Sequence, residues 1–542
     1  MLKIIKTLLI ILILLLPLIN SHLIDLFWIK WWFYVDWNYE FSKVIFFNIF
    51  SSIIISFFFI KKIIYKEKIH FPKIILLFIF ILLFSTYFSQ FTYLSLLWNT
   101  SKWHSLIMYL NLIWLFIIFI NLKEKFNKKL INYLIYWSIF ISILWIKEYF
   151  FPTFDYWNLS NRAISTFWHP NYLAGYILLL IPFLIEKIPL SWILSPNGRK
   201  RLQFFILILL IILLFLTKSI WSIFIFFLYL FFIFYTTNKK NINKKNLYLF
   251  SIISIIILWI IIYKFWLITK LNSFISRFYI WETTLKIIFS NPIHFIFWNW
   301  IATLDLVFNT FKSPELYIFE NIWFTADRPH NLILNILYNF WILWLSFFSY
   351  LIFKLYKNYK NNPYYNSIIL FLFFSIFNFW WITHYLIITL ILSIIYKKNN
   401  EIKNSLLTKI LFFILMLFSI FWSIFSYNYY KTEYLILNNK NINFNNYNLK
   451  LIDKINKQRK NINEENYSVI DYFYLWDLYW NEWINKKAIY YYKKWLNLLP
   501  DMWNENSKYY NNYFIQKLFI PERFYSEKFS NLKEILKKVW EN

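Results

Sequence analysis

Glycine is almost missing from this chain. Gly175 and Gly198 are the only two in 542 residues, where average usage of about 7% would give roughly 38. Turns, helix C-caps and close backbone contacts draw on glycine in membrane and soluble proteins alike, so no structural class accounts for the deficit. The chain instead carries 30 Trp and is rich in Lys, Asn, Ile and Phe, residues with AT-rich codons. One reading joins these facts: a gene in which UGA encodes glycine, written out with Trp. It predicts Trp at positions where only glycine makes physical sense. The rival reading is a set of genuine interfacial aromatic belts. However, Trp114, Trp145 and Trp259 lie inside long apolar runs, and Trp298-Asn299-Trp300 and Trp380-Trp381 read as glycine turn pairs. Recoding is expected for most of the Trp, with a minority genuine.

Cysteine is absent, which excludes disulfides and thiolate metal sites and leaves the redox compartment unread. Acid is scarce: 27 acidic against 56 basic residues give a net charge of +29. The basic residues cluster in short loops between apolar runs, the pattern of the positive-inside rule, so a membrane rather than a nucleic acid is the expected partner.

What is abundant is hydrophobic sequence, 60% of the chain. About 20 apolar residues span a bilayer as a helix, and about thirteen candidate spans are present. They lie near 4–20, 41–60, 73–90, 104–121, 130–150, 170–187, 202–217, 220–236, 247–267, 331–355, 366–380, 382–396 and 408–426. The first lacks the small-residue pattern of a cleaved signal and reads as a retained span. The loops 61–73, 121–129, 196–203, 237–246 and 397–404 are basic and alternate with poorer ones. Placing them in the cytoplasm puts 21–40, 90–103, 151–169, 217–220 and the long loop 268–330 outside, together with a polar tail, 427–542. The expected fold is all-α: a polytopic domain over 1–426, multi-pass in the cytoplasmic (inner) membrane, followed by an extracytoplasmic helical tail.

Within the tail, Leu475-Trp476, Tyr479, Trp483, Ala488, Tyr492, Trp495 and Pro500 follow the offsets of one tetratricopeptide repeat. The stretch 469–502 resembles that repeat, with Trp in the slots that take small residues. A ring at a close helix contact overpacks by about 1–3 kcal/mol, which again favours glycine there. Such a repeat implies a surface for a protein partner.

With glycine restored, four outer segments stand out. Asn161–Tyr176 contains a Gly-x-Pro-Asn turn at Trp168-His169-Pro170-Asn171. Residues 215–222 read FLTKSI-Gly-S. Residues 276–302 carry Arg277 and Trp281, and 328–345 open with Arg328-Pro329-His330-Asn331. Together, from about Trp98 to Ile395, they resemble the O-antigen ligase family of membrane glycosyltransferases, which also includes polysaccharide polymerases and protein O-oligosaccharyltransferases. The resemblance implies a GT-C-like membrane enzyme. It would move a glycan from an undecaprenyl-diphosphate carrier to an acceptor hydroxyl on a lipid or protein, without metal or cofactor.

The resemblance also implies site residues. His330 activates the acceptor, with Asn331 and Asn171 positioning it. Arg277, Arg162, Lys218 and Arg328 face the diphosphate, whose negative charge needs cations as it leaves. One departure stands out: Ile220 occupies the family's Arg slot, with Lys218 two residues away, and Lys lacks the bidentate fork of Arg. No role attaches to Asp327, to His169, which caps a turn, or to His384, a packing residue. Ligase, polymerase and protein transferase remain open, as does a transporter of lipid-linked glycans or a membrane-anchored scaffold.

Overall fold

The computed structural model describes residues 1–19, 39–87, 105–150, 169–187, 198–238, 271–290, 328–359, 362–396 and 413–424, a few positions inside these excepted, with isolated residues between them. The tail 427–542, Arg162 and the run 247–267 lie outside the described residues. Among the described residues the architecture is all-α, with twelve bounded helices, α1 (Leu2–Leu15), α2 (Tyr39–Ile64), α3 (Lys73–Tyr87), α4 (Leu106–Asn121), α5 (Glu124–Phe150), α6 (Pro170–Lys187), α7 (Gly198–Leu216), α8 (Ile220–Asn238), α9 (Leu271–Phe289), α10 (Leu332–Tyr359), α11 (Pro363–Ser375) and α12 (Ile382–Ile395), and further helical residues over 413–424. All but α9 stand where apolar runs predict them. By length and composition a single described segment, Lys43–Ile64, suffices to cross a membrane, and α4 with the first part of α5 forms a second candidate bent by 120°. Six other apolar helices among the described residues are shorter.

The chain divides into two compact units, 1–268 with 291–303 and 330–458, and 269–290 with 304–329 and 459–542. The first contains the bundle. Its centre is α4, buried along nearly its whole length, with α6 buried from Pro170 to Leu184. Asn111 of α4 is fully buried. Its amide donates to Asn48 Oδ1 (2.9 Å) and Ser423 Oγ (3.1 Å), and its oxygen accepts from Ser419 Oγ (2.5 Å). In an apolar bundle such bonds glue helices together, here α2 and the helical residues 413–424 to α4.

Gly175, on α6, is packed against α11 and α12. A Cβ there would lie 2.8 Å from Phe374 and 3.1 Å from His384 Nε2, so this glycine marks a close helix approach. Gly175→Ala is expected to lower stability by about 1–3 kcal/mol through overpacking, read as a fall in the thermal midpoint of the purified protein. Adding Phe374→Leu recovers part of the loss. An unchanged midpoint would contradict the close approach.

Several pairings fix helix directions in the first unit. Along α6 and α11, Gly175 meets Phe374, Leu179 O accepts from Ser367 Oγ at 2.6 Å, and Phe183 packs on Tyr364 at 5.0 Å, so the two are antiparallel. Trp221, at the start of α8, stacks on Phe377 just past α11, at 3.8 Å. Helix α12 runs parallel to α4, with Tyr109 beside Tyr385 and Phe116 beside Tyr396. Asn121 holds the start of α3 through paired 2.9 Å bonds with the His70 backbone, while Ser85 near its end reaches Asn339 O of α10 at 3.5 Å. The N-termini of α4, α6, α8, α10 and α12 therefore share one end of the bundle. The opposite end holds the basic turns around Lys61–Lys73 and Lys123–Lys129. There Glu67 bridges Lys61 (2.5 Å) and Lys62 (3.1 Å), and the bonds first from Lys61 and then from Lys62 hold its carboxyl below the usual carboxylate range.

Several helices keep apolar faces exposed. Phe205, Ile208, Ile212 and Phe215 form a stripe on α7, and Ile414, Leu417, Phe421 and Ile424 form another on the last helical stretch. Their spacing of three and four residues puts each set on one helix face.

Candidate functional site

Four of the sequence-designated residues of the first unit, Asn171, Lys218, His330 and Asn331, lie at the end away from the basic turns. His330 and Lys218 share an unusual backbone: φ is 51° at His330 and 49° at Lys218, both in the left-handed region. A side chain in that region costs of order 1–3 kcal/mol, and such positions cluster at functional sites and turns. Lys66, with φ 48°, shows the turn use. Lys66 N donates to Ile63 O and Glu67 N to Lys62 O, the two bonds of a Schellman cap, at a position that usually takes glycine.

Lys218 ends α7. Its N donates to Phe215 O at 3.0 Å. Thr217 Oγ1 donates to Leu214 O (2.7 Å) and accepts from Ser219 N (3.2 Å), and the Ser219 and Ser222 hydroxyls meet at 2.7 Å. The turn is thus bonded through its hydroxyls, and Lys218 within it is half-buried.

His330, half-buried, directly precedes the N-cap of α10. Asn331 Oδ1 accepts from Ile333 N (2.9 Å) and Leu334 N (3.1 Å), and Asn331 O accepts from Asn335 N (2.8 Å). The structure gives Asn331 a capping task, which anchors His330 at the positive end of the α10 dipole. Asn331→Ala is expected to lower stability by about 1 kcal/mol, and Asn331→Asp to keep most of it. A melt in which the Asp variant is no better than the Ala one would contradict the cap.

Asn171 opens α6, and its backbone N–H bonds His169 Nδ1 at 3.1 Å. The Asn171 side chain is largely buried. His169 thus caps the turn, and His384, fully buried, bonds Tyr172 O through Nε2 at 2.9 Å and packs on Phe371. One cation at this end was not singled out from sequence. Lys43 is buried, donates to Pro17 O at 3.1 Å and lies 4.6 Å from the centre of the Phe167 ring. Nothing in the sequence marks it beyond a lysine at the head of an apolar run.

Arg277 and Arg328 belong to the second unit. Arg277 sits on α9, half-buried, with Trp281 one turn on. The long segment 268–330, expected as a loop, is therefore helical over Leu271–Phe289. Its apolar residues Ile280, Ile287 and Ile288 are buried, and Glu282 pairs with Lys286 at 2.7 Å. Arg328 is 4% exposed.

No family model, curated protein or solved structure matches this chain.

Proposed function

We propose that this protein is a multi-pass membrane glycosyltransferase of the O-antigen ligase type, taking a glycan from a lipid diphosphate on the extracytoplasmic face. The observation that carries the reading is the shared end of the bundle. The N-termini of α6, α8 and α10, the left-handed Lys218 and His330, and the buried Lys43 lie there, away from the basic turns. Helix N-termini and lysines favour an anion, and the leaving group is a diphosphate. The exposed apolar stripes on α7 and 413–424 fit a lipid surround, and the basic turns at the far end fit a cytoplasmic side.

In this reading His330 takes the proton of the acceptor hydroxyl as the new C–O bond forms. The bond from the anomeric carbon to the diphosphate oxygen breaks, and that oxygen leaves with the electron pair, held by cations. Lys218 and Arg162 are proposed for that task; Arg277 and Arg328, to which the resemblance gives the same role, belong to the second unit. Most Trp are proposed to be glycine in the native protein. The tail 427–542, with its tetratricopeptide-like stretch, is proposed to meet a protein acceptor or partner outside.

The test is a host strain lacking the gene, complemented with the wild type or with His330→Ala, and an analysis of its lipid-linked glycans. Full-length chains accumulating in the mutant indicate a ligase or protein transferase. Single repeat units accumulating indicate a polymerase. An unchanged lipid-linked pool would overturn the transferase.

A further inference from the structure

Helix α9 buries one face and exposes another that is also apolar. Ile280, Thr283, Ile287 and Ile288 are buried. Phe278, Leu285 and Phe289 are exposed at 59%, 37% and 60%. With 3.6 residues per turn these three fall within about 40° of one another, on the side opposite Ile280 and Ile287. A helix on the surface of a globular unit normally turns charged and polar residues outward. Here the outward face presents two phenyl rings and a leucine.

The flanks of this stripe carry the groups of a membrane interface. Arg277 and Trp281, half-buried, lie on one side of it, and Tyr279 and Lys286 lie on the other. Such side chains keep an apolar stem or ring in hydrocarbon and a polar tip at the headgroups. Glu282, at the edge of the stripe, is paired with Lys286 at 2.7 Å, so its charge is compensated. The chain also limits where the helix can lie. Helix α9 starts at Leu271, just after the apolar run 247–267, which reads as a membrane span ending outside. Three residues join the two, and an extended chain covers at most about 3.6 Å per residue, so the start of α9 is tethered within roughly 15 Å of the outer surface.

We propose that α9 lies along the outer leaflet of the bilayer, with Phe278, Leu285 and Phe289 in the acyl boundary and Arg277 among the phosphates. The tether and the aromatic and basic flanks favour a lipid surface over a protein cover, which would call for neither. The inference rests on the membrane reading but not on the transfer chemistry. It sets Arg277 at the depth where a lipid-borne diphosphate lies.

The chain has no cysteine, so a single introduced Cys carries a single nitroxide label. Full-length Phe278→Cys, Leu285→Cys, Phe289→Cys and Lys286→Cys are labelled and reconstituted in phosphatidylcholine vesicles containing phosphatidylglycerol. Each label is tested for access by oxygen, which concentrates in hydrocarbon, and by a water-soluble nickel chelate. Labels at 278, 285 and 289 are expected to meet oxygen and not nickel, at a depth of about 5–10 Å, with the label at 286 nearer the phosphates. Nickel access at the three would turn this face to water and overturn the inference. Shielding from both reagents would overturn it in favour of a protein cover, either the tail 427–542 or a second copy. A label at 286 as deep as the others would overturn the face assigned to the lipid. Ile212→Cys, on the exposed stripe of α7, tests the membrane reading by itself. Nickel access there would overturn that reading, whereas oxygen access there with nickel access on α9 would overturn only the placement of α9.

Discussion

Both His330→Ala and His330→Gly are expected to abolish glycan transfer, and only the glycine variant is expected to gain stability. The loss follows from the proposed chemistry. A positioned group that takes a proton contributes roughly 10²- to 10⁴-fold, so transfer by either variant falls by about that factor. The stability split follows from the backbone. His330 sits at φ 51°, where a Cβ crowds the carbonyl by about 1–2 kcal/mol. Alanine keeps that strain and glycine removes it, so His330→Gly is expected to melt above both the wild type and His330→Ala. Its midpoint shift corresponds to roughly 1 kcal/mol. The same protein samples, assayed for transfer from a lipid-linked donor and for thermal unfolding, separate the two effects. A glycine variant that retains activity would remove the imidazole from the mechanism. One that melts with the alanine variant would remove the strain.

Lys218 shares this geometry with the opposite expectation for its conservative change. Lys218→Arg keeps the charge and the left-handed backbone and adds the fork missing at Ile220. Tighter donor binding is expected, read as a lower KM for the lipid-linked donor at unchanged kcat. Weaker binding would mean that Lys218 serves only to cap α7.

Helices were legible in the sequence because apolar runs bounded by basic turns leave few alternatives, and α2 through α8 stand close to the expected limits. The alternation of basic and poorer loops requires the turns 61–73 and 121–129 to share one end of the bundle, and the described pairings place them so. Helix α9 was not foreseen. Leu271–Phe289 mixes Arg277, Glu282 and Lys286 with its apolar positions, so no uncharged run announces it, and its helical spacing shows only once Ile280, Ile287 and Ile288 are seen to be buried. At the candidate site, the turn residues could be picked by resemblance, but the capping task of Asn331 and the left-handed φ at His330 and Lys218 are backbone facts that a residue string does not carry. Lys43 was invisible for a similar reason. Its burial depends on Phe167 and Pro17, far away in the chain, folding over its stem.

Peptides from the native protein that cover positions 114, 137 and 221 are expected to be lighter by the difference between Trp and Gly. Its absorbance at 280 nm is expected to fall towards the share of its 42 Tyr. The structure seats Trp114 edge-on to Phe59 at 5.1 Å and Trp221 flat on Phe377, so steric room alone does not exclude the rings. The polar atoms speak more clearly. Trp137 Nε1 is buried with no acceptor among the described residues, where a buried indole N–H normally finds one. Trp221 bears directly on function. It opens α8, three residues after Lys218 and beside Phe377 at the end proposed to hold the diphosphate. Glycine there removes the ring from that end and leaves space next to the lysine. Protein made with glycine at the Trp positions is therefore expected to complement a host lacking the gene, and protein made with Trp throughout is not. Native peptides that carry Trp at these positions would end the recoding account, and the three Trp in the small-residue slots of 469–502 would then count against a tetratricopeptide repeat in the tail.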